Sequence, residues 1–193
     1  IKPIYQTENQ YSKGNVRISK LNVIGRAKGN YIAICEGDDY WTDPYKLQKQ
    51  IDYMEKHPEC SLCVHGGYIV NDSDKKIISK NSINRRNKIF TVEEVIEGGG
   101  ELFLSNSMIF PKQYFEIRPD FLENAPVGDY PLAINLSLIG TVYYMNECMS
   151  SYRTGVSNSW TARNSSTINK RIEHVHKIAA MLDEINQYTN GKY

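Results

Sequence analysis

Apolar residues recur along this chain with two different periods, and the changes of period mark the elements. Tyr31-Ile32-Ala33-Ile34-Cys35 is a short apolar run behind the turn-forming Lys28-Gly29-Asn30, which predicts a buried strand. Leu47, Ile51 and Met54 follow at spacings of four and three. Ahead of them, Thr42-Asp43-Pro44 puts a capping side chain before a proline suited to a first helical turn. The helix predicted there runs from about Pro44 to Lys56 and stops before Pro58. Residues 61–71 read as a second strand and 73–88 as a basic, Asn-rich loop. Phe90 to Glu97 predicts a short helix with Thr91 and Glu94 at capping-box spacing, broken by Gly98-Gly99-Gly100. Ser105 to Phe110 is a third strand candidate. Thr141 to Met145 is a fourth, with a continuation over Cys148 to Tyr152. Between them, Tyr130 to Ile139 is apolar enough for a buried helix closed by Gly140. From Thr167 to Tyr188, Ile168, Ile172, Val175, Ala179, Leu182 and Ile185 recur every three or four positions, the mark of an amphipathic helix. Residues 1–20 are polar without a clear period, and there is no internal repeat.

Alternating strands and helices predict an α/β domain on a mixed sheet. Four strands are few for such a domain, and the chain starts at Ile1 rather than Met. Both features predict that part of the domain lies upstream. With 193 residues, 40% of them apolar and 23% charged, there is material for one domain and its core. The net charge of +1 supplies no general field for a polyanion, which argues against a nucleic-acid binder. No apolar run approaches the roughly 18–20 residues that span a bilayer. Four cysteines are too sparse for a disulfide scaffold and fit a reducing cytoplasm. Cys60-Ser-Leu-Cys63 has zinc spacing, but no second pair completes a site, so both thiols read as buried strand residues.

The candidate chemistry lies in Glu36-Gly37-Asp38-Asp39-Tyr40-Trp41. Adjacent carboxylates just past a buried strand sit where open α/β sheets place their ligands. One hard carboxylate with phosphate oxygens and waters is a usual way to hold Mg²⁺ or Mn²⁺. Acidic residues also fill turns and cap helices, and spacing alone leaves both readings open.

The surrounding residues carry a resemblance. Ala27-Lys28-Gly29-Asn30-Tyr31-Ile32-Ala33, the acidic turn, and Asp43-Pro44-x-Lys46-Leu47-x-x-Gln50 closely resemble the family 2 nucleotide-sugar glycosyltransferases of GT-A fold. Ser105-Asn106-Ser107-Met108-Ile109-Phe110 resembles the strand lining their acceptor side, and Gly128-Asp129-Tyr130-Pro131-Leu132 the segment carrying the base. Tyr152-Arg153 resembles their closing motif. Glu8-Asn9-Gln10-Tyr11-Ser12-Lys13-Gly14 resembles a loop of a bacterial branch that makes surface polysaccharides.

The resemblance covers about residues 8–160. It implies a nucleotide-diphosphosugar transferase-like domain over 1–160 lacking its first strands. Residues 161–193 are then an amphipathic helix packed on that domain or on a neighbouring subunit. It further implies inverting transfer of a sugar from a nucleotide-diphosphate donor to the hydroxyl of a glycan or lipid-linked acceptor. Asp39 would ligate Mn²⁺ or Mg²⁺, Asp38, Trp41 and Arg153 would bind the donor, and Asp129 would take the acceptor proton. The setting implied is the cytoplasm, at the inner face of the membrane, with peripheral membrane association and a homo-oligomer among the expectations. Two departures stand out: no strand matches the family's base-recognition segment, and no His follows Tyr152-Arg153 as a further metal ligand. Without the base-recognition strands, the 193-residue stretch is expected to transfer no sugar alone. A non-catalytic binding or dimerisation module is therefore the competing reading, and a metal-dependent phosphohydrolase a third.

The remaining candidates read as structural. His174 and His176 lie about 200° apart on a helix and cannot face one metal. His65 reads as a strand residue, Lys80–Lys88 as a solvated loop, and Gly98–Gly100 as a flexible one. The mixed charge of the terminal helix favours packing over membrane binding.

Overall fold

The computed structural model describes residues 7–8, 25–115, 118–156, 159 and 166–193. The Glu8–Gly14 match lies outside these apart from Glu8, as does most of the polar first twenty residues.

Two long strands form the centre. Strand β3 (Cys60–Asn71) runs parallel to β7 (Thr141–Thr154), paired from Cys60 opposite Thr141 to Asn71 opposite Thr154 with register shifts near Cys60 and around Gly66. β3 is buried along most of its length, as expected for a parallel strand covered on both faces. Around this pair lie β6 (Ile109–Pro111) and β4 (Ile77–Asn81) against β3, and β5 (Lys88–Phe90) and β2 (Tyr40–Trp41) against β7. β1 (Tyr31–Ala33) pairs with β6. The result is a curled, mixed, seven-stranded sheet among the described residues.

Alternation along the central strands sends side chains to two cores. Leu62, Val64, Met108, Phe110, Val142 and Tyr144 pack with helix α4 (Asp129–Ile139), nearly all of which is buried. Helix α5 (Ile168–Tyr188) adds Met181 and Ile185 to this core. Cys63, Ile109, Met145 and Met149 face the other way, beneath Met54 and Ile51 of helix α1 (Lys46–Lys56). Helices thus cover both faces. At Gly140 an added Cβ would lie 2.5 Å from the Glu59 backbone carbonyl, so the close backbone approach where α4 leads into β7 requires glycine.

Several expectations need correction. The first helix starts at Lys46, not Pro44, and Asp43 bonds the Tyr45 N–H and Lys49 rather than capping it by the expected Thr42-Asp43-Pro44 scheme. Its inward face also differs: Lys46 and Gln50 are buried with Met54, whereas Leu47 is exposed. The loop over 73–88 contains the strand β4, missed because Ile77 to Lys80 are exposed on both faces and show no alternation. Ser105–Ser107 is a 3₁₀ turn leading into β6, not strand. Phe90 ends β5, and helix α2 (Val92–Gly98) begins after it with Thr91 as its cap. Gly99–Glu101 continues as a 3₁₀ turn instead of a loop. Met145 to Cys148 is a bulge inside the single strand β7. Cys60 and Cys63 are buried in β3, as expected, and so is His65. A four-residue helix α3 (Asp120–Glu123) packs against α5, with Phe121 meeting the Tyr188 ring edge-on.

Candidate functional site

The acidic turn joins β1 to β2, and the pairing of β2 with β7 decides where it lies. Tyr40 opposes Ser151 and Trp41 opposes Ser150. That register draws Asp39 beside Arg153, near the C-terminal ends of the two parallel strands, and Asp72, just past the end of β3, comes with it. Ligands of open α/β sheets bind at such strand ends.

Asp39 is half-buried and held from two sides. Its Oδ1 accepts the Arg153 backbone N–H at 2.9 Å, and its Oδ2 accepts the Asn106 amide at 2.8 Å. Burial pushes its carboxyl up from the usual carboxylate range, with neighbouring Asp38 adding, while those two donors oppose the rise. The Arg153 side chain donates Nε–H to the Asp38 carbonyl and pairs with Asp72 Oδ1 at 3.0 Å. Trp41 donates its indole N–H to the Asn106 carbonyl at 3.0 Å.

Lys46 Nζ lies 4.4 Å from the centre of the Trp41 ring and donates to Gln50 Oε1 at 2.8 Å. Gln50 in turn donates to the Cys63 and Ser107 carbonyls. Burial lowers the Lys46 ammonium to about 8.

Glu36 completes the acidic face. Burial raises its carboxyl, opposed by hydrogen bonding from Ser105 and strengthened by the charges of Asp39 and Asp129. Its Oε2 is buried without a hydrogen-bond partner. Asp129 opens α4; Gly128 is the N-cap, and Asp129 Oδ1 accepts the N–H of Tyr130 at 2.8 Å.

The fold brings Asp38, Asp39 and Arg153 together by direct contact or adjacency and Trp41 beside them through Asn106; Asp129 is linked to this group only through the effect of its charge on Glu36. Besides Asp39, the fold engages two of them with protein groups. Trp41 is tied to Asn106 and Lys46, and Arg153 to Asp38 and Asp72. Sequence reasoning assigned no role to Glu36, Asn106, Asp72, Lys46 or Gln50. For Asn106 and Gln50 the available signal was a polar residue flanked at helical or strand spacing by apolar ones, since buried polar groups require partners; Glu36, Asp72 and Lys46 carried no such signal.

A divalent cation fits the donor chemistry at this place. Among the described residues no group of three or more His, Cys, Asp and Glu forms a metal cage. The side chains at hand are hard carboxylates, one with an orphan buried oxygen, which suits Mg²⁺ or Mn²⁺ shared with phosphate and water oxygens.

No family model matches the chain. Uncharacterized proteins of Mycobacterium bovis and Mycobacterium tuberculosis are 27% identical to it over 170 residues, or 88% of this chain and 48% of each relative. The chain spans about half the length of these curated relatives. Among the described residues no helix is long and apolar enough to cross a membrane.

Proposed function

We propose that this chain carries the diphosphate-binding part of an inverting nucleotide-sugar glycosyltransferase of GT-A type, acting in bacterial surface-polysaccharide synthesis at the cytoplasmic face of the membrane. The observation that carries the reading is the Asp39 carboxylate, fixed by the Asn106 amide and the Arg153 N–H at the ends of two parallel strands, with Asp38 adjacent to it in the turn. The mixed sheet covered by helices on both faces is compatible with it.

Asp39 and Asp38 would hold the cation and the donor. The cation, when bound, neutralises charge on the leaving diphosphate. Arg153 fixes the acidic turn through the Asp38 carbonyl, and Asp129 accepts the proton as the acceptor oxygen bonds to the anomeric carbon and the bond to diphosphate breaks. The acceptor is a glycan or a lipid-linked sugar.

Thermal melting of the full-length protein with nucleotide-sugars and Mn²⁺ tests the reading. A true donor at 100 times its Kd stabilises by about 2.7 kcal/mol. Wild type is expected to show a Mn²⁺-dependent rise in Tm that Asp39→Ala lacks. Equal shifts in both, or none in wild type with any donor, would sink it.

A further inference from the structure

We infer that Asn106 is a positioning residue that aims the Asp39 carboxylate at its ligand. The inference rests on the reading of Asp39 as the cation and diphosphate ligand.

Asn106 is fully buried, yet every polar end of its amide is used. Nδ2 donates to Asp39 Oδ2 at 2.8 Å and to the Ser151 carbonyl at 3.3 Å, and Oδ1 accepts from Ser150 Oγ at 2.6 Å. Flipping the amide would set its oxygen against a carboxylate and a carbonyl, so the network dictates the orientation. The residue is fixed from behind as well. Its carbonyl accepts from Trp41, and the next carbonyl, of Ser107, accepts from Gln50, whose own oxygen is bonded by Lys46.

Lys46, Gln50 and Trp41 thus anchor the Ser105–Ser107 turn, and the Asn106 amide transmits that anchoring to Asp39. One protein donor on each carboxylate oxygen leaves about two of its roughly four acceptor sites for a ligand. A neutral donor suits position 106; Asp there would set its carboxylate against that of Asp39 and the Ser151 carbonyl, and Ser would fall short of Asp39.

Two measurements test the inference in the full-length protein. The first is a pair swap read by thermal melting: Asp39→Asn, Asn106→Asp and the double variant. Asn106→Asp alone is expected to melt well below wild type, and the double variant above Asn106→Asp, because an amide and a carboxylate again face each other. Additive losses overturn the inference.

The second is calorimetry of UDP and GDP with and without Mn²⁺, using Asn106→Ser, which removes the donor without adding charge. The Mn²⁺-dependent part of the affinity is expected to fall about 10–100-fold, as for other residues that orient metal ligands, with metal-free affinity unchanged. An unchanged Mn²⁺ effect overturns the role of Asn106. Absence of any Mn²⁺ effect in wild type overturns the functional reading itself, while the swap still reports on the contact.

Discussion

His65 shows how a single buried residue couples this fold to pH. Its ring is almost wholly inside β3, Nδ1 donates to the Gly66 carbonyl at 2.6 Å, and Nε2 has no partner. Burial lowers its pKa to about 3, and the nearby Lys46 charge pushes the same way. The ordinary histidine value is about 6.5. Between about 6.5 and 3 the unfolded chain therefore binds a proton that the folded chain refuses. The slope of stability with pH is positive where the unfolded state holds more protons, so stability is lost as pH falls through this window. We expect His65→Leu to remove that loss. Urea unfolding at pH 6.5, 5.5 and 4.5 should show wild type falling relative to the variant, by up to about 1.4 kcal/mol per pH unit. Parallel curves would show that His65 takes up its proton without unfolding.

Elements divide into those whose stability is local and those defined by what lies opposite. Helix α2 is of the first kind. Thr91 Oγ1 accepts the Glu94 N–H at 3.2 Å and Glu94 Oε2 accepts the Thr91 N–H at 3.0 Å, the reciprocal bonds that the spacing of the two residues announces. Thr91→Ala is expected to cost about 0.5–2 kcal/mol in urea unfolding, with Thr91→Ser retaining most of it. A full loss in the Ser variant would mean that the threonine methyl, not its hydroxyl, carries the effect. The terminal helix was legible from its apolar period, although only its second half is packed. Met181 and Ile185 are buried, while Ile168, Ile172 and Val175 remain exposed. Helix α1 is of the second kind. Its period predicted a helix, but the inward face is set by Lys46 and Gln50, whose partners are Trp41, a carbonyl of β3 and a carbonyl of the Ser105–Ser107 turn. Nothing within the helix announces those partners, so apolar Leu47 looked like the core position. β4 escaped for a related reason: it pairs only with β3 and has no buried face to impose alternation. The acidic turn was legible in its residue types, but its geometry was not, because Asn106 and Arg153 reach Asp39 from 67 and 114 residues away.

For the molecule as a whole, the parallel pairing of β3 with β7 gathers sequence-distant carboxylates at one end of the sheet, and Asp129 is the test of whether that gathering is catalytic. Asp129 lies at the first position of α4, ahead of a helix buried against the main core. It is not the N-cap; that position belongs to Gly128, which offers no side chain. Its structural contribution is therefore limited to a charge near the helix N-terminus, worth about 0.3–1 kcal/mol, and the bond from the Tyr130 N–H. Asp129→Asn keeps an oxygen for that N–H and gives up only the charge, so stability should fall by less than about 1 kcal/mol. Removing a carboxylate that acts on Glu36 through its charge should also ease ionisation of Glu36. If Asp129 accepts the acceptor proton, turnover of the full-length protein should drop about 10²–10⁴-fold. Mn²⁺-dependent nucleotide binding should persist, since the proton acceptor touches the acceptor sugar and not the diphosphate. Turnover near wild type with Asn at 129 would exclude it as the base and return the position to a helix-end charge.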